Sequence, residues 1–334
     1  MRRTIYKILK WVGIVFAALI VVLFIFSLRK VPTKISYGVS FSVLHSEELK
    51  LPWKEVYQAI LDDLKVKKLR LSAHWTMVEP EKDQYNFEEL DYQIREAEKR
   101  NAKVILAIGR RLPGWPECHE PGWAWYISKE EKQKEITELL ELLATRYKDS
   151  PALEYWQVEN EPFLGTFADY HCGKLDKKFL KSEIELVRKL DPAHKIVVTD
   201  SGEFGFWYRA YNAGDIFGTT MYLYVTHHIF GDVRYPIRPG FFKIKQNLMS
   251  LFFKEKPMIL IELALEPWLT RPITEASMEM ILDRMSIEKV DEIITFASKT
   301  GFDTQYLWGA EWWYWMRTKD HPEFWNSAKT FFAN

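Results

Sequence analysis

From Lys34 to the C-terminus, short runs of β-branched, aromatic and aliphatic residues alternate with longer segments whose apolar positions recur every three or four residues. Eight runs read as strands: 35–43, 68–73, 103–109, 154–161, 195–202, 216–225, 258–265 and 305–312. Between the third and fourth, Ile136, Leu139, Leu140, Leu143 and Tyr147 mark one face of a helix over 129–147, and Ser128 with Glu131 has the spacing of a capping box. The next crossover carries Phe179, Leu180, Ile184, Val187 and Leu190 before Asp191-Pro192 stops it. Alternation of this kind implies an α/β fold with parallel strands joined by outer helices, and eight units in this length predict a (β/α)₈ TIM barrel with long loops. No Gly-x-Gly-x-x-Gly or Walker pattern, internal repeat or low-complexity tract interrupts the alternation.

One segment lies outside that pattern. After Arg2, Arg3, Lys7 and Lys10, residues 11–28 carry no charge, and Arg29 and Lys30 close the run. About 20 apolar residues cross a bilayer, whereas a cleaved signal has a shorter apolar region followed by small residues, which Phe26-Ser27-Leu28 does not supply. The expected organisation is therefore a basic stub and single transmembrane signal anchor over 1–30, then one domain over 31–334. The modest excess of basic residues at the N-terminus favours that end in the cytoplasm, with the domain outside the cell membrane.

Lys and Arg number 46 against 46 Asp and Glu, so no net field exists to draw nucleic acid. Aromatics make up 15% of the chain, with 14 Trp. Several, such as Trp115, Trp123, Trp125 and Trp268, fall in loops after strands, where they serve either to stack on sugar faces or to fill the core.

The fourth strand ends in Glu159-Asn160-Glu161-Pro162, and the seventh ends near Glu262. Barrel chemistry sits at the C-terminal ends of strands, and glycosidic hydrolysis needs two carboxyl groups flanking the bond. Glu159 and Glu161 are two apart, so alternation alone does not choose between them. Glu203, Glu266 and Glu311 also lie near predicted strand ends, with Glu266 the main rival for the second carboxylate.

Asn160-Glu161 on the fourth strand and Glu262 on the seventh are joined by Lys68-Leu-Arg-Leu-Ser-Ala-His-Trp75 with Glu79-Pro80, by residues 85–91, and by residues 103–109. In these motifs the soluble region resembles the clan of retaining glycoside hydrolases that includes the family 5 cellulase-like and family 39 enzymes. The resemblance implies Glu161 as acid/base, Glu262 as nucleophile, Arg70 as the cation that holds the nucleophile, and Asn160 as a donor to the sugar 2-hydroxyl. It also implies Trp308 as the floor of the central sugar site. The clan's strand-six His-x-Tyr becomes Thr220-Met221-Tyr222-Leu223-Tyr224 here, which leaves Tyr222, with Tyr224 close behind, to orient the nucleophile. His74 and Trp75 follow strand two and are candidates to line the pocket, while Trp312, Trp313 and Trp315 serve equally well as packing.

Cys118-His119 and His171-Cys172 fall in neighbouring loops. Adjacent Cys-His ligands fit one tetrahedral zinc poorly, and an extracytoplasmic location favours a Cys118–Cys172 disulfide over free thiols or a metal. No cofactor is signalled. The expected activity is hydrolysis of O-glycosidic bonds in a poly- or oligosaccharide by double displacement. A transglycosidase, a non-catalytic glycan-binding barrel and a structural envelope protein are the alternatives.

Overall fold

A computed structural model describes residues 2–165, 173–227 and 231–333. The eight barrel strands are β1 (Ser36–Phe41), β2 (Lys68–Ser72), β3 (Lys103–Ile108), β4 (Leu153–Val158), β5 (Lys195–Asp200), β6 (Ile216–Met221), β9 (Met258–Ala264) and β10 (Thr304–Trp308). They form a closed, all-parallel ring in the order β1-β10-β9-β6-β5-β4-β3-β2. Two short strands, β7 (Tyr224–His227) and β8 (Gly231–Arg234), pair antiparallel outside the barrel. The expected strand over 216–225 is thus two elements: the chain leaves the barrel at Tyr222 and turns into the β7–β8 pair.

The helices include α1 (Arg2–Phe26), α2 (Trp53–Asp62), α3 (Glu88–Lys99), α4 (Lys129–Tyr147), α5 (Lys177–Leu190), α6 (Tyr208–Ala213), α7 (Pro239–Phe252), α8 (Ile287–Ser298), α9 (Ala310–Arg317) and α10 (Glu323–Phe331), besides further short helices. Helix α1 contains one candidate span, Leu9–Phe26, with mean hydropathy 2.7 and none of it buried against the protein. Helix α4 has the expected bounds, and its Ser128–Glu131 capping box is formed in both directions. The last strand stops at Trp308, short of the expected 312, because Gly309 takes a positive φ and the chain turns into α9. Glu311 therefore stands on a helix.

Two apolar layers follow from the alternation of strand side chains. Leu69, Leu71, Leu106, Val158, Leu260 and Leu307 face outward against the helices, whereas Ile105, Val197, Ile216, Ile259, Ile261 and Tyr306 fill the barrel interior. Gly38 on β1 makes room for that filling, since a Cβ there would lie 2.7 Å from the Tyr306 ring.

One irregularity in this alternation positions the chemistry. Leu260 and Leu263 of β9 face outward, as Ile259 and Ile261 face inward, so one extra residue is inserted between them. Pairing with both neighbours shifts register at this point: Thr219 lies opposite Leu260 but Thr220 opposite Glu262, and Gln305 lies opposite Leu260 but Leu307 opposite Leu263. The bulge turns Glu262 into the barrel beside Ile261, where strict alternation would send it out.

Leu140 on α4 is fully buried while Ser128 caps at the surface. Leu140→Ala is expected to cost about 2–5 kcal/mol of unfolding free energy, and Ser128→Ala about 1 kcal/mol, as read from urea unfolding followed by circular dichroism.

Candidate functional site

Arg70 projects from β2 into the barrel and distributes its guanidinium over three elements. Nε donates to Gln157 Oε1 on β4 at 2.9 Å, Nη2 to Asn160 Oδ1 at 2.8 Å, and Nη1 to Glu262 Oε2 at 2.5 Å. Both members of the Arg70–Glu262 pair are buried. A charge pair away from water is tolerable only when its remaining donors and acceptors are used. Here Gln157 and Asn160 take the other guanidinium nitrogens, and the Tyr222 hydroxyl donates to Glu262 Oε1. Burial first and Glu262 second push the Tyr222 hydroxyl well above its ordinary value, so it stays a donor. Tyr224, the other candidate, starts β7 and donates to Glu292 instead.

Past β4 the chain leaves the extended region, with φ of 59° at Glu159 and 43° at Glu161. The expectation that the two share one strand face therefore does not hold, because both lie beyond the regular strand. Glu159 turns back to accept from the backbone N–H groups of Arg110 at 2.8 Å and Arg111 at 2.6 Å, clipping the loop after β3. Gly109, with φ of 124°, permits this approach, since a Cβ would meet Glu159 Oε1 at 2.6 Å. Glu161 accepts from the Thr220 hydroxyl at 2.8 Å, and its backbone N–H donates to Thr199 Oγ1 at 2.8 Å. Burial raises its carboxyl well above the usual carboxylate range, and Glu117 and Glu262 add to the rise by like-charge repulsion.

The remaining glutamates have other partners. Glu266 accepts from Trp308 Nε1 at 2.7 Å and meets His45 Nε2 at 2.8 Å, so it ties the Trp308 ring to the short helix after β1. Burial alone would lower His45, but Glu266 and Glu48 beside it carry the imidazole well above its ordinary value. Glu203 accepts from the Tyr222 backbone N–H, and Glu311 from that of Ser42. Burial pushes each of these two carboxyls up to about 7.

Trp308 is 8% exposed and stacks its ring near His45. His74 is buried edge-on to His119 with centroids 4.5 Å apart; burial first and His119 second hold it well below the usual histidine value. Trp75 does not line an open pocket: it is fully buried, packs edge-on against Trp123 and donates to Glu79 at 2.8 Å. Trp312, Trp313 and Trp315 are buried in the core. From Glu262 toward solvent, Tyr222, Trp268 and Trp115 form a chain of edge-to-face rings at 5.4 and 6.2 Å. Cys118 is disulfide-bonded, whereas Cys172 lies outside the described residues.

Sequence reasoning missed Glu117, Thr220, Gln157 and His45. Glu117, in the loop after β3, is a third carboxyl near the other two: burial and Glu262 raise it to about 7 against the opposing pull of Arg111. Its signal was faint, since a Glu after Trp-Pro in a long loop reads as surface. Gln157 sits two residues before Glu159 on the inward face of β4, and the period of two would have found it.

This barrel, with two carboxyl groups at the C-terminal ends of β4 and β9, has the architecture of the clan of retaining (β/α)₈ glycoside hydrolases. Residues 52–198 match the family described as beta-galactosidase, a stretch that holds Arg70, Asn160 and Glu161 and ends before Glu262. Beta-galactosidase Pbg of Clostridium perfringens is 32% identical over 138 residues, 36% of this chain and 20% of that protein. Beta-galactosidase LacA of Lactobacillus acidophilus is 24% identical over 136 residues, with the same 36% and 20% coverage. The chain thus spans about a fifth of the length of these curated relatives. Among solved structures, GH5_18 from Bifidobacterium longum superposes with a TM-score of 0.60 at 12% identity, covering 83% of this chain and 70% of that one. Xylanase 10B from Thermotoga petrophila gives 0.51 at 14% identity, covering 82% of each. At such identities these likenesses show the fold.

Arg70→Met is expected to destabilise the barrel by about 3–5 kcal/mol, because it leaves Glu262 buried and unpaired. Combining it with Glu262→Gln should recover part of that loss, so urea unfolding of both single variants and the double variant should give a non-additive cycle.

Proposed function

We propose that the protein is a retaining glycoside hydrolase that cleaves O-glycosidic bonds in an oligo- or polysaccharide. The observation that carries this reading is the unequal setting of two buried carboxyl groups at one barrel mouth. Burial and like-charge neighbours raise the Glu161 carboxyl well above the usual carboxylate range, and Glu262 is clamped between the Arg70 guanidinium and the Tyr222 hydroxyl. Such a split assigns acid and nucleophile. Glu161 protonates the leaving oxygen while a Glu262 oxygen attacks the anomeric carbon. Water, losing its proton to Glu161, then breaks the glycosyl–Glu262 bond and frees the sugar. Asn160, fixed by Arg70 and Gln157, is placed to meet the 2-hydroxyl. The relatives' description favours β-galactosides as the first substrates to test, and the aromatic chain from Tyr222 to Trp115 suits a substrate longer than one sugar.

The same reading places residues 9–26 in the cell membrane as a signal anchor, with the barrel outside. An oxidising location agrees with a Cys118–Cys172 bridge, since Cys118 is disulfide-bonded and the sequence contains two cysteines. A bridge closing about 55 residues stabilises by about 4 kcal/mol in the chain-entropy model. Thiol labelling of unfolded, unreduced protein should find no free thiol, and reduction should expose two. Labelling at Cys172 without reduction would overturn the pairing.

Hydrolysis needs Glu161 protonated, so kcat/KM should fall as pH rises through its elevated pKa. Thr220→Val removes a hydrogen bond that stabilises the carboxylate, which raises that pKa and should move the alkaline limb to higher pH. Glu117→Gln removes a like charge and should move the limb to lower pH. Profiles measured on aryl glycosides check both signs. Glu262→Ala should abolish turnover, whereas Glu161→Ala with added azide should give a glycosyl azide of retained configuration. Full activity in both alanine variants would refute the enzyme reading.

A further inference from the structure

The end of α1 is seated on the barrel. Asn247 on α7 donates through Nδ2 to the Phe26 carbonyl at 2.7 Å and accepts from Arg29 Nη1 at 3.0 Å. Seven residues earlier on the same helix, a Cβ on Gly240 would lie 3.2 Å from Ser27 Cβ. Gly240 and Asn247 are two turns apart, about 10 Å along the axis, yet both meet residues 26–29. Helix α7 therefore carries the end of α1 along two turns of its length.

This seat is at the N-terminal mouth of the barrel, opposite the carboxyl pair. Arg29 lines that mouth with Lys68, Glu154, Ile216, Met258 and Thr304, all at or near the starts of strands. One turn beyond Asn247, and on the same face of α7, is Leu251. Leu251 is 61% exposed, Phe252 beside it 69%, and Leu28, just past the anchor, 63%. Exposed Lys30 and Lys254 flank these side chains. Apolar side chains edged by lysine at the point where an apolar span ends have the composition of an interfacial membrane surface, with lysine stems bridging to the headgroups.

Resting on the reading that residues 9–26 cross a bilayer, we infer that Leu28, Leu251 and Phe252 form a second membrane contact that inserts into the headgroup–acyl boundary of the same bilayer. This contact stands the barrel on its N-terminal mouth. The anchor then does more than tether: with the C-terminal end of α7 at the lipid, the strand ends bearing Glu161 and Glu262 open away from the membrane, toward glycan that approaches from outside.

The test uses full-length protein in phosphatidylcholine vesicles. A single cysteine is introduced by Leu251→Cys, Phe252→Cys, Phe24→Cys or Phe206→Cys and labelled with an environment-sensitive fluorophore under non-reducing conditions, with the identically treated parent protein as blank. Phe24 lies within the span, and Phe206 is 83% exposed in the loop after β5 at the opposite mouth. Lipids carrying a spin label near the headgroup should quench the probes at 251 and 252 several-fold more than the probe at 206, and their emission should be blue-shifted. Quenching at 24 with none at 251 and 252 would overturn the contact while leaving the anchor intact. No quenching at 24 would overturn the anchor and the contact together. As an independent arm, Leu251→Asp combined with Phe252→Asp should increase quenching by a water-soluble quencher at a probe on Lys254→Cys. An unchanged value there would also count against insertion.

Discussion

A single guanidinium in the barrel interior holds the site together. Arg70 reaches Gln157, Asn160 and Glu262, which belong to β4, the turn after it and β9. A buried cation needs a counter-charge and a full set of acceptors, and the barrel can supply these only if β4 ends in its left-handed turn and β9 carries its bulge. Those two backbone departures bring Asn160 and Glu262 into reach. The electrostatic demand of one residue thus constrains the geometry of strand ends about a hundred residues apart.

Carboxyl groups crowd this mouth, and their partners keep them apart in role. Glu159 is spent on the amides of the loop after β3, Glu203 on the Tyr222 amide, Glu311 on the Ser42 amide, and Glu266 on Trp308 and His45. Each of these contacts positions a neighbouring wall of the mouth. Glu161 meets a neutral hydroxyl and two like charges, and Glu262 meets a cation. Residues of one type thus take different settings, as backbone clips, as supports for neighbouring rings or as a buried ion pair, according to what each touches.

Much of this was legible in advance. The period of two in β-rich runs and of three to four between them is a direct consequence of side-chain direction in strands and helices, so the eight strands, the helix over 129–147 and the apolar span near the N-terminus could be read from residue order. Where the reading slipped, a backbone turn was responsible: Gly309 ended the last strand at Trp308, and the chain left the barrel at Tyr222, separating Tyr222 from Tyr224. Trp75 gave no warning of its core position, because a tryptophan after a strand serves lining and packing alike.

By itself the sequence determined the class of fold, the apolar N-terminal segment and the shortlist of carboxylates, since all three depend on local pattern. Only the tertiary structure decided which glutamate stands beside Arg70, which tyrosine reaches it, and that Glu117 shares the mouth with Glu161 and Glu262. Those outcomes depend on a bulge in β9 and left-handed residues after β4, which are imposed by pairing and packing between distant segments and leave no periodic trace in the chain.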